Sequence, residues 1–259
     1  VASIYGFGLV KKSFFPASTR PQFMVHYWLP QGTHITNTEA DLKAIERHLM
    51  TIDGITDVST FVGQGPLRFL LTLTPENANS AYGMLLVGVE DYRKIDDLVP
   101  VVQHYIEENY PNAQAFSRKF VLGPGEPQKI QVRFRGPDPD VLRLLAKKAR
   151  NIMVNDPEVV DVVDDWRQRV PLIVPVVAES QARNAGITRS DIAKALQMAF
   201  GGTQIGVFRE GDNLLPIVAR SPENERTEVD NLKDVQIWSP VAQKTIPLTQ
   251  DKTGFETRS

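Results

Sequence analysis

There is no cysteine among the 259 residues, which excludes disulfide staples, thiolate nucleophiles and cysteine-ligated zinc. Histidine is scarce: His26, His34, His48 and His104 are the full set. No HExxH or other paired-ligand spacing joins them, so structural or solvated roles are expected for all four and no metal site is expected. No block of one charge exists either. The 29 basic and 31 acidic residues are interspersed, for a net charge of −2, which leaves a nucleic-acid surface without an electrostatic basis. No apolar run reaches the roughly 20 residues needed to cross a bilayer.

Catalytic constellations are missing as well. Gly63-Gln64-Gly65 has no third glycine and opens no helix, so it is not a dinucleotide fingerprint. The serines lack a nucleophile-elbow setting, and the lysine pairs lack a glycine-rich phosphate loop. Asp96 and Asp97 open a helix, where carboxylates suit the dipole. The run Asp164-Asp165-Trp166-Arg167 reads as a solvated loop. Met50 and Met153 end helices and read as core gap-fillers, while Met24, Met84 and Met198 share no spacing that suggests a soft-metal site. No cofactor is implied.

What is present is an ordinary globular composition, 42% hydrophobic and 23% charged, at a length suited to two or three domains. Residues 1–10, VASIYGFGLV, carry no charge and are followed at once by Lys11 and Lys12. No cationic segment precedes it here and no small-residue cleavage site follows it, so it fits the pattern of a signal peptide poorly. It reads as a buried strand or as the end of a truncated membrane helix.

Periodicity then predicts strands at 22–29, 55–61, 69–73 and 113–121, with helices at 36–50 and 95–110. Thr36 or Asn37 is expected to cap the first helix. This β-α-β-β-α-β order is that of ferredoxin-like units. A partial echo follows: a strand at 128–135, a helix from Pro137 to about 155, and a strand at 158–163. MTIDGITDV and MVNDPEVVDV match at the two helix-to-strand joints. After Val170 the pattern changes to a strand at 171–177, a helix at 179–184 and a helix at 191–200 capped by Thr188 or Ser190. Hairpins at 204–219 and 235–248 follow. The last residues, TGFETRS, give no sign of closing a domain.

Three segments carry a family resemblance: SFFPASTRPQFMVHYWLPQGT at 13–33, AGITRSDI at 185–192 leading into GGTQIGVFREGDNLLPIVAR, and NLKDVQIWSPVAQKTIPLTQ followed by TGFETR. Together they resemble the second large periplasmic loop of resistance-nodulation-division efflux transporters, of the acriflavine-resistance, hydrophobe/amphiphile type. The resemblance covers essentially the whole chain.

It implies an α+β fold of tandem ferredoxin-like porter subdomains, the second incomplete, plus a docking subdomain with long hairpins. Residues 1–12 would be a transmembrane remnant, 13–125 the first porter subdomain, 126–169 half of the second and 170–259 the docking subdomain. The return that completes the second porter subdomain would be missing, leaving an open sheet edge, a dimer contact or disorder.

The resemblance also implies a proton-driven antiporter of the bacterial inner membrane, with this segment in the periplasm. The full-length protein would be a homotrimer working with a periplasmic adaptor and an outer-membrane channel, exporting hydrophobic and amphiphilic drugs. The proton relay would lie outside the chain, which would not be an enzyme. A flexible loop in the substrate path would correspond to Phe61, Val62, Gly63, Gln64, Gly65 and Pro66.

His26, Phe116, Arg118 and Phe120 would line the cleft; alternation puts the last three on one face. The docking hairpin tip would be Pro240, Val241, Ala242 and Gln243. Phe208, Arg209, Glu210, Gly211 and Asp212 would reach neighbouring subunits. The alternatives are a pump of the same kind for heavy-metal ions, a ferredoxin-like pair that senses small molecules, and an acylphosphatase-like enzyme. The long 170–258 segment disfavours the sensor, and LPQGTHITN lacks the phosphate-cradling loop of the enzyme.

Overall fold

In the computed structural model, residues 18–123, 130–159, 161–226, 229–248 and 254–258 are described; the apolar start at 1–10 lies outside them. The chain divides into two compact units, Val1–Arg169 and Val170–Ser259.

The first unit is built on a four-stranded sheet in the order β2-β3-β1-β4. Its strands are β1 (Gln22–Trp28), β2 (Ile55–Val62), β3 (Tyr82–Val89) and β4 (Gln114–Lys119). All neighbours pair antiparallel. Helices α1 (Ile35–Leu49) and α2 (Ile95–Asn109) complete the β-α-β-β-α-β order. Leu42, Ile45 and Leu49 of α1 and Leu98, Val102 and Ile106 of α2 recur every third or fourth residue. They are buried against Phe23, Val25 and Tyr27 of β1 and Leu85 and Val87 of β3. Each such fully buried side chain contributes on the order of 1.5–3 kcal/mol. The Tyr27 hydroxyl donates to Asp41 at 2.9 Å, which satisfies a polar tip in that apolar layer. Asp96 and Asp97 occupy the first turn of α2.

Three local expectations are corrected. The third strand is YGMLLVGV at Tyr82–Val89, not 69–73. Residues 69–73 carry no strand, whereas β3 is buried on both faces and sits between β1 and β2. Gly83 is fixed there by close approach: a Cβ would lie 2.1 Å from Leu42 Cδ1. The cap of α1 is His34, whose side chain accepts from the Thr36 backbone N–H, rather than Thr36 or Asn37. Met50, at the end of α1, is 50% exposed and fills no core gap.

The echo is realised only in part. Helix α3 (Pro139–Val154) forms, capped by the Asp138 side chain with proline in its first turn. Residues 130–135, 158, 159 and 161–163 carry no strand. No residue of α3 is buried, and Leu144, Ile152 and Val154 on it are more than half exposed. Strands need a neighbouring ladder, and none of these residues is paired in the sheets described.

The second unit contains β5 (Leu172–Val176), α4 (Glu179–Asn184), α5 (Arg189–Leu196), the hairpin β6 (Thr203–Glu210)–β7 (Asn213–Ala219), a short α6 (Glu223–Arg226) and the hairpin β8 (Gln236–Ser239)–β9 (Lys244–Pro247). Thr188 and Asp191 form a reciprocal capping box on α5. The helix ends in a wider turn at Gln197–Gly201. Ala182, Ile187, Ile192, Ile237 and Leu248 form the core. The terminal segment, which gives no closing signal in sequence, forms β10 (Gly254–Arg258) and pairs antiparallel with β5.

Candidate substrate-binding face

Because side chains alternate along a strand, β1 presents Met24, His26 and Trp28 to the side away from α1 and α2. The register sets Met84 of β3 and Phe116 of β4 opposite His26, Tyr82 opposite Trp28, Phe61 of β2 opposite Met84, and Arg118 opposite Met24. Trp28, Tyr82, Met84 and Phe116 form a second buried cluster, with Met24, Phe61 and Val163 packed against it. The Trp28 and Tyr82 rings lie 4.3 Å apart. His26 Nδ1 and the Tyr82 hydroxyl share a hydrogen bond of 2.9 Å.

Two guanidiniums lie over this aromatic floor. Arg118 is 5.5 Å from the Phe116 ring centre, and Arg167 is 3.2 Å from that of Trp28. Cations over ring faces gain about 0.5–2 kcal/mol, more as water is excluded. Burial, opposed by nearby acidic charge, draws both guanidiniums below the usual arginine range. Burial also raises the Tyr82 hydroxyl, which stays protonated. Burial, with the adjacent Arg118 charge, lowers His26 from 6.5 to about 4, so its imidazole is neutral near pH 7.

Arg167 belongs to the 161–168 stretch whose middle reads, in sequence, as a solvated loop. Asp165 and Trp166 are exposed as that reading expects, but the stretch as a whole is a strap laid on the sheet. Gln114 Nε2 donates to the Val162 carbonyl at 2.9 Å, and the Gln31 N–H donates to Gln168 Oε1 at 3.3 Å. From α3, Arg143 donates to the Arg167 carbonyl at 3.0 Å and lies 5.2 Å from the Trp166 ring centre. Asp161 and Arg167 sit at φ of 58° and 49°, a region that non-glycine residues enter at a cost.

Of the sequence-predicted cleft residues, His26, Phe116 and Arg118 converge on this face. Phe120 does not share their cluster: it lies beyond β4 and packs edge-on against Phe69 at 5.7 Å, with Arg20 over both rings. Phe61 and Val62 are the last residues of β2 rather than loop. The following turn is fastened: the Gly63 N–H donates to the Tyr82 carbonyl, the Asn79 N–H to that of Gly63, and the Gly65 N–H to that of Glu76. Gly63 holds φ of 77°, where a Cβ would lie 2.7 Å from Ile35 Cδ1. Gln64 is exposed and Pro66 is buried.

In the second unit, Phe208, Arg209, Glu210, Gly211 and Asp212 are all exposed at the turn of the β6–β7 hairpin. So are Pro240, Val241, Ala242 and Gln243 at the tip of β8–β9. An apolar groove of about 610 Å³ runs between β5 and α5, lined by Val174, Val176, Ile192 and Leu196.

Trp28, Tyr82, Met84 and Arg167 are not found from motifs. The signal for Tyr82 and Met84 is the uninterrupted apolar run YGMLLVGV, the pattern of a strand buried on both faces. Among the described residues, no three His, Asp or Glu side chains are grouped as a metal site. No helix among them is long and apolar enough to cross a membrane.

The sequence profile of the AcrB/AcrD/AcrF family matches residues 1–258. The cobalt-zinc-cadmium resistance protein CzcA of Cupriavidus metallidurans is 27% identical over 218 residues, 81% of this chain and 19% of that protein. A cation efflux system protein CzcA from Alcaligenes sp. is 30% identical over 133 residues, 51% of this chain and 12% of that protein. A crystal structure of a heavy metal efflux pump superposes with a TM-score of 0.71 at 14% identity, covering 99% of this chain and 27% of that one. The chain thus spans about a fifth or less of these curated relatives' length.

Proposed function

The chain belongs to the AcrB/AcrD/AcrF family of resistance-nodulation-division efflux transporters, and from that premise we propose that it supplies the substrate path and docking surface of a proton-driven pump for hydrophobic and amphiphilic organic compounds. The observation that carries this reading is the face of β1, β3 and β4. Trp28, Tyr82, Met84 and Phe116 give an apolar floor, while His26 and two guanidiniums add a few convergent polar groups. That mixture suits drug-sized amphiphiles. Phe61 extends the floor, and the fastened Gly63–Pro66 turn borders it.

The wider reading follows from the family. The full-length protein is an inner-membrane homotrimer with this segment in the periplasm. The exposed β6–β7 hairpin, with Phe208 at 57% and Leu214 at 61% exposure, meets a neighbouring subunit. The Pro240–Gln243 tip faces an outer-membrane channel, and a periplasmic adaptor completes the assembly.

A second reading, transport of metal ions, is favoured by the relatives named for cobalt, zinc, cadmium and cations. Met24, Met84 and the neutral His26 would be its soft ligands on this face. The guanidiniums of Arg118 and Arg167 beside them oppose a bare cation.

The test is expression of the full-length transporter in a host stripped of its own efflux pumps. The expected result is faster export of the neutral dye N-phenyl-1-naphthylamine with no change in tolerance to cadmium or cobalt. Raised metal tolerance without dye export would establish the second reading instead.

A further inference from the structure

Strand β4 ends the order β2-β3-β1-β4, and among the described residues no strand lies beyond it. In an antiparallel pair, alternate residues turn their N–H and C=O groups toward the partner and away from it. The outward groups of an edge strand are a template for any further strand. On β4 one side chain closes that template. Gln103 of α2 donates from Nε2 to the Ala115 carbonyl at 2.9 Å and accepts the Ser117 N–H at Oε1, also at 2.9 Å. A residue of a parallel neighbour would bond in the same way about Phe116, its N–H to the carbonyl before and its C=O to the N–H after. The carboxamide therefore stands in for one residue of a further strand. The second Nε2 hydrogen goes to Glu107 Oε1 at 2.7 Å, one turn along α2. Both amide donors are thus used, and a flipped amide would meet the Ser117 N–H donor to donor.

The opposite edge is closed by other means. Strand β2 is bulged between Ile55 and Asp57. The Asp57 carboxylate turns in over β3 and fills the space that a Cβ on Gly88 would take. Bulges and inward-pointing charges both discourage pairing at an edge. The register of β4 with β1 is unbroken from Gln114 to Lys119, so the β4 edge has no bulge to protect it.

We infer that the outer edge of β4 is a strand-pairing surface for a second copy of this chain, and that Gln103 is the guard that keeps it closed. The occupant is a second copy because identical edges are self-complementary about a two-fold axis, and an antiparallel β4–β4 pair needs no other sequence. A pair spanning Ala115–Ser117 needs the carbonyl and N–H that Gln103 holds, so the side chain and the strand exclude each other. The inference goes beyond the proposed function and does not depend on which compounds the pump carries.

The test uses the purified full-length transporter in detergent. Light scattering gives its mass at rising protein concentration, and mass spectrometry follows hydrogen exchange at the Ser117 amide. Gln103→Leu removes the guard and leaves the edge open. Gln103→Lys loses the same Ser117 bond but leaves a charge at the edge, which opposes pairing. In dilute sample the Ser117 amide should exchange about tenfold faster in both variants, as expected for one lost hydrogen bond. As concentration rises, Gln103→Leu alone should associate beyond the wild-type stoichiometry, and its Ser117 amide should become protected again. A Gln103→Leu transporter that keeps the wild-type mass at every concentration overturns the inference. Equal association of Gln103→Leu and Gln103→Lys also overturns it, because the effect would then lie in lost stability rather than in the open edge.

Discussion

The Arg167 guanidinium stands 3.2 Å from the centre of the Trp28 ring. This contact joins a residue 139 positions further along the chain (167 minus 28) to the C-terminal end of β1, an inner strand of the first sheet. It is the point at which the 161–168 strap meets the aromatic floor.

Removing either partner should loosen the strap unequally. Arg167→Ala removes one cation–ring contact and should cost about 1 kcal/mol. Trp28→Ala empties a site that is only 6% exposed and should cost about 3–5 kcal/mol. Hydrogen exchange should show faster exchange confined to residues 161–168 in the first variant and across β1 and β3 in the second.

His26 makes stability fall with acidity. Its folded value of about 4 lies below 6.5, so the unfolded chain takes up the proton first as pH drops. The neutral-state advantage is full above pH 6.5 and is lost as pH falls from 6.5 to 4, by about 3 kcal/mol in all. Urea unfolding at pH 7.0 and 4.5 should show a larger loss for wild type than for His26→Gln. Equal losses would place the acid sensitivity in other groups.

Gly63 and Gly211 both hold positive φ, 77° and 60°, but in different surroundings. A Cβ at Gly63 would strike Ile35, whereas at Gly211 it would meet nothing within 4 Å. Gly63→Ala should therefore cost about 2–3 kcal/mol and Gly211→Ala about 1 kcal/mol. Denaturation midpoints of the two variants check the ordering.

Phe61 packs against the cluster that holds Met84, so Phe61→Ala should change which compounds the full-length pump exports. Large substrates should lose more than small ones, read as a changed order of inhibitory concentrations across a drug panel. An unchanged order would remove Phe61 from the path.

The helix-covered side of the first sheet was legible because 3.6- and 2-residue periods coincide there. Leu42, Ile45 and Leu49 face Phe23, Val25 and Tyr27. The opposite side was only half legible. His26, Phe116 and Arg118 fall on it by alternation, but their partners come from β3, whose continuous apolar run has no alternation to read. Arg167 could not be read at all: Asp164-Asp165-Trp166-Arg167 is polar and follows no motif, and its place is set by backbone geometry and by Arg143 from another element. The expected strands flanking α3 failed for the complementary reason. Their local pattern is right, but a strand is stabilised by a neighbour that the sequence of that segment does not supply.

The most direct test of the central claim is photolabelling of the full-length transporter in membranes with a diazirine derivative of N-phenyl-1-naphthylamine, followed by peptide mass spectrometry. Labels on residues 22–28, 82–89, 114–118 and 161–168, competed by unlabelled dye, are the predicted result. Labelling that spares all four segments while export continues would contradict the assignment of this sheet face to the substrate path.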